Sequence, residues 1–254
     1  MTEPSVARIH LLPARREPVV VILRRKPSKR FHVLTWNTRT DEIVSGSWFQ
    51  GHLYSLRCDV SFNGRWLVYL ALGSTGQTWN GICCLPWLKT VAEGTNFGTW
   101  RGGGYWSRPR LLRINAWEIS ATPTLRKKLP FNVETYRSPY GEDEGVLYER
   151  LERDGWKRAG PIGTMRRIKE ARKYTVVCEN DPGWYWQPSP KHPTLRMFYL
   201  GYLSHGRTFS FALDEHPNLL DSAVDWATWD ALGSLVVARG GGVERYSPDD
   251  LASG

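Results

Sequence analysis

Asp59-Val-Ser-Phe-Asn-Gly-Arg-Trp-Leu-Val-Tyr-Leu-Ala-Leu72 decides the fold class. Two strand-forming runs flank Asn63-Gly64, and Asn-Gly between such runs is a strong hairpin signal because both residues tolerate positive φ. A second unit of this kind, Asp225-Trp-Ala-Thr-Trp-Asp-Ala-Leu-Gly-Ser-Leu-Val-Val-Ala-Arg239, lies near the end of the chain, with Gly233 in the part of Gly64. The two glycines are 169 residues apart, close to four steps of about 42, and about 40–45 residues is the repeat of a four-stranded propeller blade. Ser107–Ile114, Gly145–Trp156 (with an Asp154-Gly155 turn) and Leu195–Leu203 fall near the first, second and third steps. The expectation is an all-β, β-propeller-like single domain over residues 1–254, with about five to six short four-stranded blades. An ordinary sandwich or barrel with chance hairpins is the competing reading.

Outward from that hairpin, strand signals dominate. Pro18–Leu23 is a β-branched run, Arg30–Trp36 alternates with period two, and Thr40–Ile43 reads as the turn into Ser45–Phe49. Val6–Leu12 is strand-like, and the last hairpin is followed by too little chain for a full blade, so the N-terminal strand is expected to pair with the last blade and close the ring. Met165–Tyr174, rich in helix formers, reads as a helix at a blade edge or an exposed basic strand. Asp181–Pro193 carries four prolines and reads as a long irregular loop.

The chain has 254 residues and a net charge of +9, unevenly spread. Arg8–Arg30 holds eight basic residues and one acid, Arg166–Lys173 five and one, and Thr208–Gly254 eight acids and two arginines. A basic N-terminal part and an acidic C-terminal part can attract each other. No run has the length of a membrane span, and no secretory leader is read. Cys58, Cys83, Cys84 and Cys178 are expected to be reduced core thiols, which favours a cytoplasmic location.

The Asp59–Tyr69 hairpin resembles the D-x-S-x-D-G-R-x-L-V-Y hairpin of TolB-like and WD-repeat propellers, with Asn63 in place of the usual Asp. A longer stretch, Arg24–Trp106, about a third of the chain, resembles an uncharacterised family of bacterial propeller-like proteins through Trp48–Tyr54, Arg57–Ser61, Trp79–Ile82, Pro86–Lys89 and Gly102–Trp106. That resemblance implies a fold and no activity. Gly76-Gln-Thr-Trp79 resembles the end of a sialidase Asp-box, with Ser74 where the Asp belongs. Trp100–Trp106 resembles one segment of formylglycine-generating-enzyme-like domains, whose other segments are missing.

The six histidines are scattered and no cysteine pair has zinc spacing, so neither metal nor cofactor is expected. There is no G-x-S-x-G, and Glu142-Asp143-Glu144 and Asp249-Asp250 read as solvated loop acids. No catalytic residue is assigned. Thirteen Trp exceed what a core needs. Trp66, Trp226 and Trp229 read as core, while Trp184, Tyr185 and Trp186, with Trp100, Arg101, Tyr105, Trp106 and Arg108, form the candidate binding surface. The expected function is a non-catalytic protein-interaction or regulatory module. A carbohydrate-binding or glycosidase-like propeller and a nucleic-acid-associated protein using its basic surface are the alternatives.

Overall fold

A computed structural model describes residues 6–26, 29–94, 98–116, 119–121, 128–138, 142–161, 163–170, 173–203 and 206–253. Among the described residues the protein is all-β, with strands in four sheets and two short α-helices. The first sheet has nine strands: β1 (Arg8–Pro13), β2 (Val19–Lys26), β3 (Arg30–Asn37), β4 (Glu42–Leu53), β5 (Asp59–Val60), β6 (Trp66–Gly73), β7 (Thr78–Cys84), β8 (Thr90–Gly94) and β11 (Ile119–Ala121). The second joins β9 (Gly104–Arg108), β10 (Leu111–Ile114) and β12 (Asn132–Thr135). The third joins β13 (Lys157–Arg158), β14 (Thr164–Glu170), β15 (Lys173–Glu179), β16 (Trp184–Trp186), β17 (Leu195–Leu203) and β18 (Gly206–Leu213). The fourth is β19 (Val224–Trp229), β20 (Leu235–Arg239) and β21 (Gly242–Tyr246).

The two hairpins that define the fold close in closely related ways. Gly64 (φ 71°) and Gly233 (φ 78°) take left-handed backbone at the turn, and each donates its N–H to the residue three before it, Ser61 and Asp230. The side chains of those two residues hold the turns. Ser61 Oγ accepts from the N–H of Arg65 and Trp66, and Asp230 Oδ1 accepts from Leu232 and Ser234.

The chain departs from the expected reading in three places, and in one decides between two. Gly145–Trp156 is not a blade hairpin but the helix α1 (Glu144–Asp154). Its buried residues Val146, Leu147, Arg150, Leu151 and Asp154 follow the three-to-four spacing of a helix face, and Gly155 (φ 101°) ends it as a left-handed C-cap. Of the two readings of Met165–Tyr174, helix or basic strand, the strand holds: β14 pairs with β15 from Thr164↔Glu179 to Glu170↔Lys173, and as an edge strand its charges discourage further pairing. Asp181–Pro193 contains β16, laddered to β17. Finally, the N-terminal strand β1 makes its ladder with β2, not with the last sheet. It lies beside β19 all the same: the Ile9 N–H donates to Asp225 Oδ2 at 3.1 Å and Arg8 pairs with Asp225 at 3.5 Å. The basic N-terminal and acidic C-terminal parts therefore do meet.

The largest core cluster joins Ile9, Leu11, Val20 and Ile22 of β1 and β2 to α1, to β16–β18 and to the last sheet. A second, with Cys58 and Cys83, lies between β1–β4 and β5–β7, and a third surrounds Trp106 and Leu112. All four cysteines are free thiols. Burial pushes Cys58 up to about 12 and Cys83 further still, so these two behave as apolar core groups. Among the described residues no helix is long and apolar enough to cross a membrane.

Candidate functional site

Helix α1 is fastened to the sheets by ions that are themselves buried. Arg153 binds both carboxylate oxygens of Asp59, donates to Asp154 Oδ1 at 2.8 Å and to the Trp106 carbonyl at 3.0 Å. Asp59 Oδ2 also accepts the Trp106 N–H at 2.8 Å, so the first residue of the defining hairpin ties β5, β9 and α1 together. Arg150 donates to the Cys58 carbonyl and to His10 Nε2 at 3.2 Å. A guanidinium only donates, so His10 accepts there and carries its proton on Nδ1. Burial, then Arg150, hold the His10 ring well below its usual range and therefore neutral.

This fastening sets the N-terminal end of α1 against a cleft of about 990 Å³. The walls come from β1, β2 and β3, the end of β4 and the turn after it, the segment before α1, β17 and β18, and the start of β19. On one wall, Asp143 bridges two arginines, accepting from Arg57 Nε at 2.5 Å and from Arg207 Nε at 3.1 Å. Glu142 accepts from Arg57 NH2 at 3.0 Å, and Glu144 pairs with Arg207. The Arg57 side chain is fully buried and also donates to the Thr99 carbonyl at 2.6 Å. Burial opposes the charge on Arg207, but Glu144, Tyr199 and Asp143 outweigh it and leave that pKa raised.

On the adjoining wall a run of rings links two guanidiniums. Arg25 lies 5.9 Å from the Phe31 ring, Phe31 meets His52 edge-on at 5.6 Å, His52 meets Tyr54 at 4.5 Å, and Arg57 lies 5.1 Å from Tyr54. Burial, followed by Arg25, lowers His52 to about 4, with the Asp143 carboxylate opposing, so its ring is neutral at pH 7. Leu200 and Tyr202 of β17 also line the cleft and are exposed, Tyr202 by 54%. Among the described residues no group of His, Cys, Asp and Glu is arranged to hold a metal ion.

None of the eight residues expected to form a binding surface lines this cleft. Trp184 and Trp186 occupy one face of β16, opposite Met197 and Leu195, and are core. Trp184 packs on Tyr148 and Trp186 on Trp156, at 5.2 and 5.7 Å. Tyr185, on the other face, is half-buried. Tyr105 and Trp106 are buried in β9, Tyr105 donating to Glu149 at 2.9 Å. Trp100 is 78% exposed, Arg101 half-buried and Arg108 exposed. The expected surface is thus divided between the second and third sheets with the turn before β9, and four of its aromatics are interior: alternation turns Trp184 and Trp186 to the buried face of β16, while Tyr105 and Trp106, consecutive and so on opposite faces of β9, are both covered. Conversely, Glu142, Asp143 and Glu144 are not solvated loop acids. Glu142 and Asp143 meet Arg57 more than eighty residues away in sequence, Asp143 and Glu144 meet Arg207 more than sixty away, and no local pattern announces those contacts.

No family model matches the chain, and no curated protein matches it. Among solved structures, an uncharacterised protein, lmo1340, of Listeria monocytogenes EGD-e overlaps with a TM-score of 0.36 at 10% identity, over 96% of this chain and 83% of that one. The WD40 domain of SCAP from fission yeast overlaps with a TM-score of 0.25 at 11% identity, over 94% of this chain and 59% of that one. With both scores below 0.5, neither likeness bears on how the sheets are arranged or on what the protein does.

Proposed function

We propose that the protein is a non-catalytic protein-interaction module on a propeller-like scaffold, and that the cleft admits a segment of its partner. In this reading the strands group into five blade-like units: β1–β4, β5–β8 with β11, β9–β10–β12, β13–β18 and β19–β21. The closure of the ring beside β1 belongs to the same proposal, and the first, fourth and fifth units carry the strands that line the cleft. The observation that carries the reading is the character of the cleft. Its acids Glu142 and Asp143 are engaged by Arg57 and Arg207, which suits a fixed wall better than a proton-transfer site, while Leu200 and Tyr202 offer apolar contact. Four free thiols support a reducing, cytoplasmic setting.

The test is to challenge immobilised protein with extract of its source cell, with a glycan array and with a single-stranded oligonucleotide at low salt. The reading expects a reproducible protein partner, retained by the wild type and lost from Tyr202→Asp at an unchanged Tm. Glycan binding without a protein partner, or oligonucleotide binding that survives at 0.3 M salt, would replace it.

A further inference from the structure

The cleft is electrically lopsided. At the β2–β3 end stand Arg25, Lys26 and Lys29, and among the described residues no carboxylate pairs with any of them. Arg25 lines the cleft with its guanidinium by Phe31, whereas the Lys26 ammonium lies 5.0 Å from the Trp48 ring, on the other face of the strand. Lys29 acts electrostatically on the His52 ring, as Arg25 does. Their charge is not spent within the fold, unlike that of Arg57 and Arg207. His52 brings a neutral imidazole between these cations and the Tyr54 ring, a group able to donate to an incoming acceptor.

We propose that the cleft receives an acidic peptide segment of the partner, its carboxylates taken by Arg25 and Lys29 beside the His52–Tyr54 ring pair. This rests on the protein-interaction reading and names the chemistry of the partner. Arg25 supplies the fork geometry that matches a carboxylate, and its guanidinium already stands beside the Phe31 ring, which limits the ordering cost of binding. Leu200 and Tyr202 supply apolar contact for the side chains between the acids. The opposite wall decides against a nucleic acid. Glu142 and Asp221 line the same cleft; each pairs with an arginine, Arg57 and Arg239, but with 42% and 55% of their side chains exposed they still present carboxylate surface against an evenly charged phosphate backbone. A peptide can place its acids on the basic side alone.

The experiment measures fluorescence anisotropy of a labelled dodecapeptide alternating Glu with Leu and Tyr, with a Gln-for-Glu peptide, a twelve-nucleotide single strand and inorganic phosphate as competitors. The proteins are the full chain, Arg25→Met, Arg25→Lys and, on the outer strand β14, Arg166→Met. Methionine keeps the apolar stem, so the fold is preserved and thermal melting checks it. The proposal expects binding of the acidic peptide, at least a tenfold loss in Arg25→Met, partial recovery in Arg25→Lys and no change in Arg166→Met. It is overturned if the Gln peptide binds equally, if Arg166→Met weakens binding as much as Arg25→Met, or if the single strand competes better than the peptide. Suppose a cell-derived partner is lost from Tyr202→Asp but is not displaced by the acidic peptide. Then the acidic chemistry fails and the interaction reading stands. A partner indifferent to both ends both.

Discussion

At the scale of single residues, Asp59 shows how one side chain is legible in one role and silent in another. As the head of a strand–turn–strand unit it marks the hairpin from sequence alone. Its hold on Arg153 and on the Trp106 N–H depends on elements that only the folded chain brings together. Removing one partner of a buried ion pair costs about 3–5 kcal/mol, because the other charge is left without compensation. Arg153→Met is expected to lose about that much in urea denaturation, and Asp59→Leu/Arg153→Met clearly less than the two single changes summed; full additivity would show that the pair is not coupled. His52 makes a pH-dependent contribution. Its folded pKa of about 4 lies below the unfolded value near 6.5, so the folded state favours the neutral ring. That stability is present above about pH 6.5 and is lost as pH falls towards 4. For a partly exposed ring it is worth about 1–2 kcal/mol. His10, also lowered, adds to the same acid limb. His52→Gln should flatten the fall in Tm between pH 6.5 and 4. An unchanged pH profile in that variant would show that the ring is as well solvated folded as unfolded.

At the scale of elements, the strands with clear alternation or a β-branched run were readable: β2, β3, β6, β17, β19 and β20 lie where composition and turn residues place them. Segments whose signals serve two structures were not. Asp154-Gly155 fits a hairpin turn and a helix C-cap equally, since both use a glycine at positive φ. What separates them is the spacing of Val146, Leu147, Leu151 and their neighbours, which is helical. The helix formers of Met165–Tyr174 give way to the ladder offered by Thr175-Val-Val177, a case of tertiary pairing overriding propensity. A related ambiguity holds at Trp184–Trp186: the prolines around it suggest a loop, yet three residues suffice for a strand against β17. Gly155→Ala tests the helix end. Its backbone is left-handed, and a Cβ there would stand 2.9 Å from Trp186 Nε1. The expected loss is about 1–3 kcal/mol in chemical denaturation with an unchanged m-value. A neutral substitution would mean that the helix ends elsewhere.

At the scale of the whole molecule, the all-β class followed from repeated hairpin chemistry, whereas the cleft was invisible in sequence because its walls come from residues 6–10, 23, 25–26, 31, 52–57, 142–143, 200, 202, 207–210, 221–226 and 240. β1 joins the two ends of that span, covering the edge of β2 and packing Ile9 and Leu11 into the cluster that holds the last sheet. Removing residues 1–13 takes away that apolar burial, at about 1.5–3 kcal/mol for each large side chain, and is expected to lower Tm by about 10 °C or more. A truncated protein that melts with the full chain would show that β1 is dispensable.

The central claim, that a partner protein is recognised at the cleft, is tested most directly by photo-cross-linking in the source cell. Benzoylphenylalanine is placed either at Tyr202, exposed on the cleft wall, or at Ile43, which is also exposed but lies nine residues before His52 on β4, about 30 Å along an extended strand. The account predicts a single reproducible protein adduct from position 202 and none from position 43. An adduct from position 43 alone, or none from position 202 when the protein is folded and expressed, would contradict it.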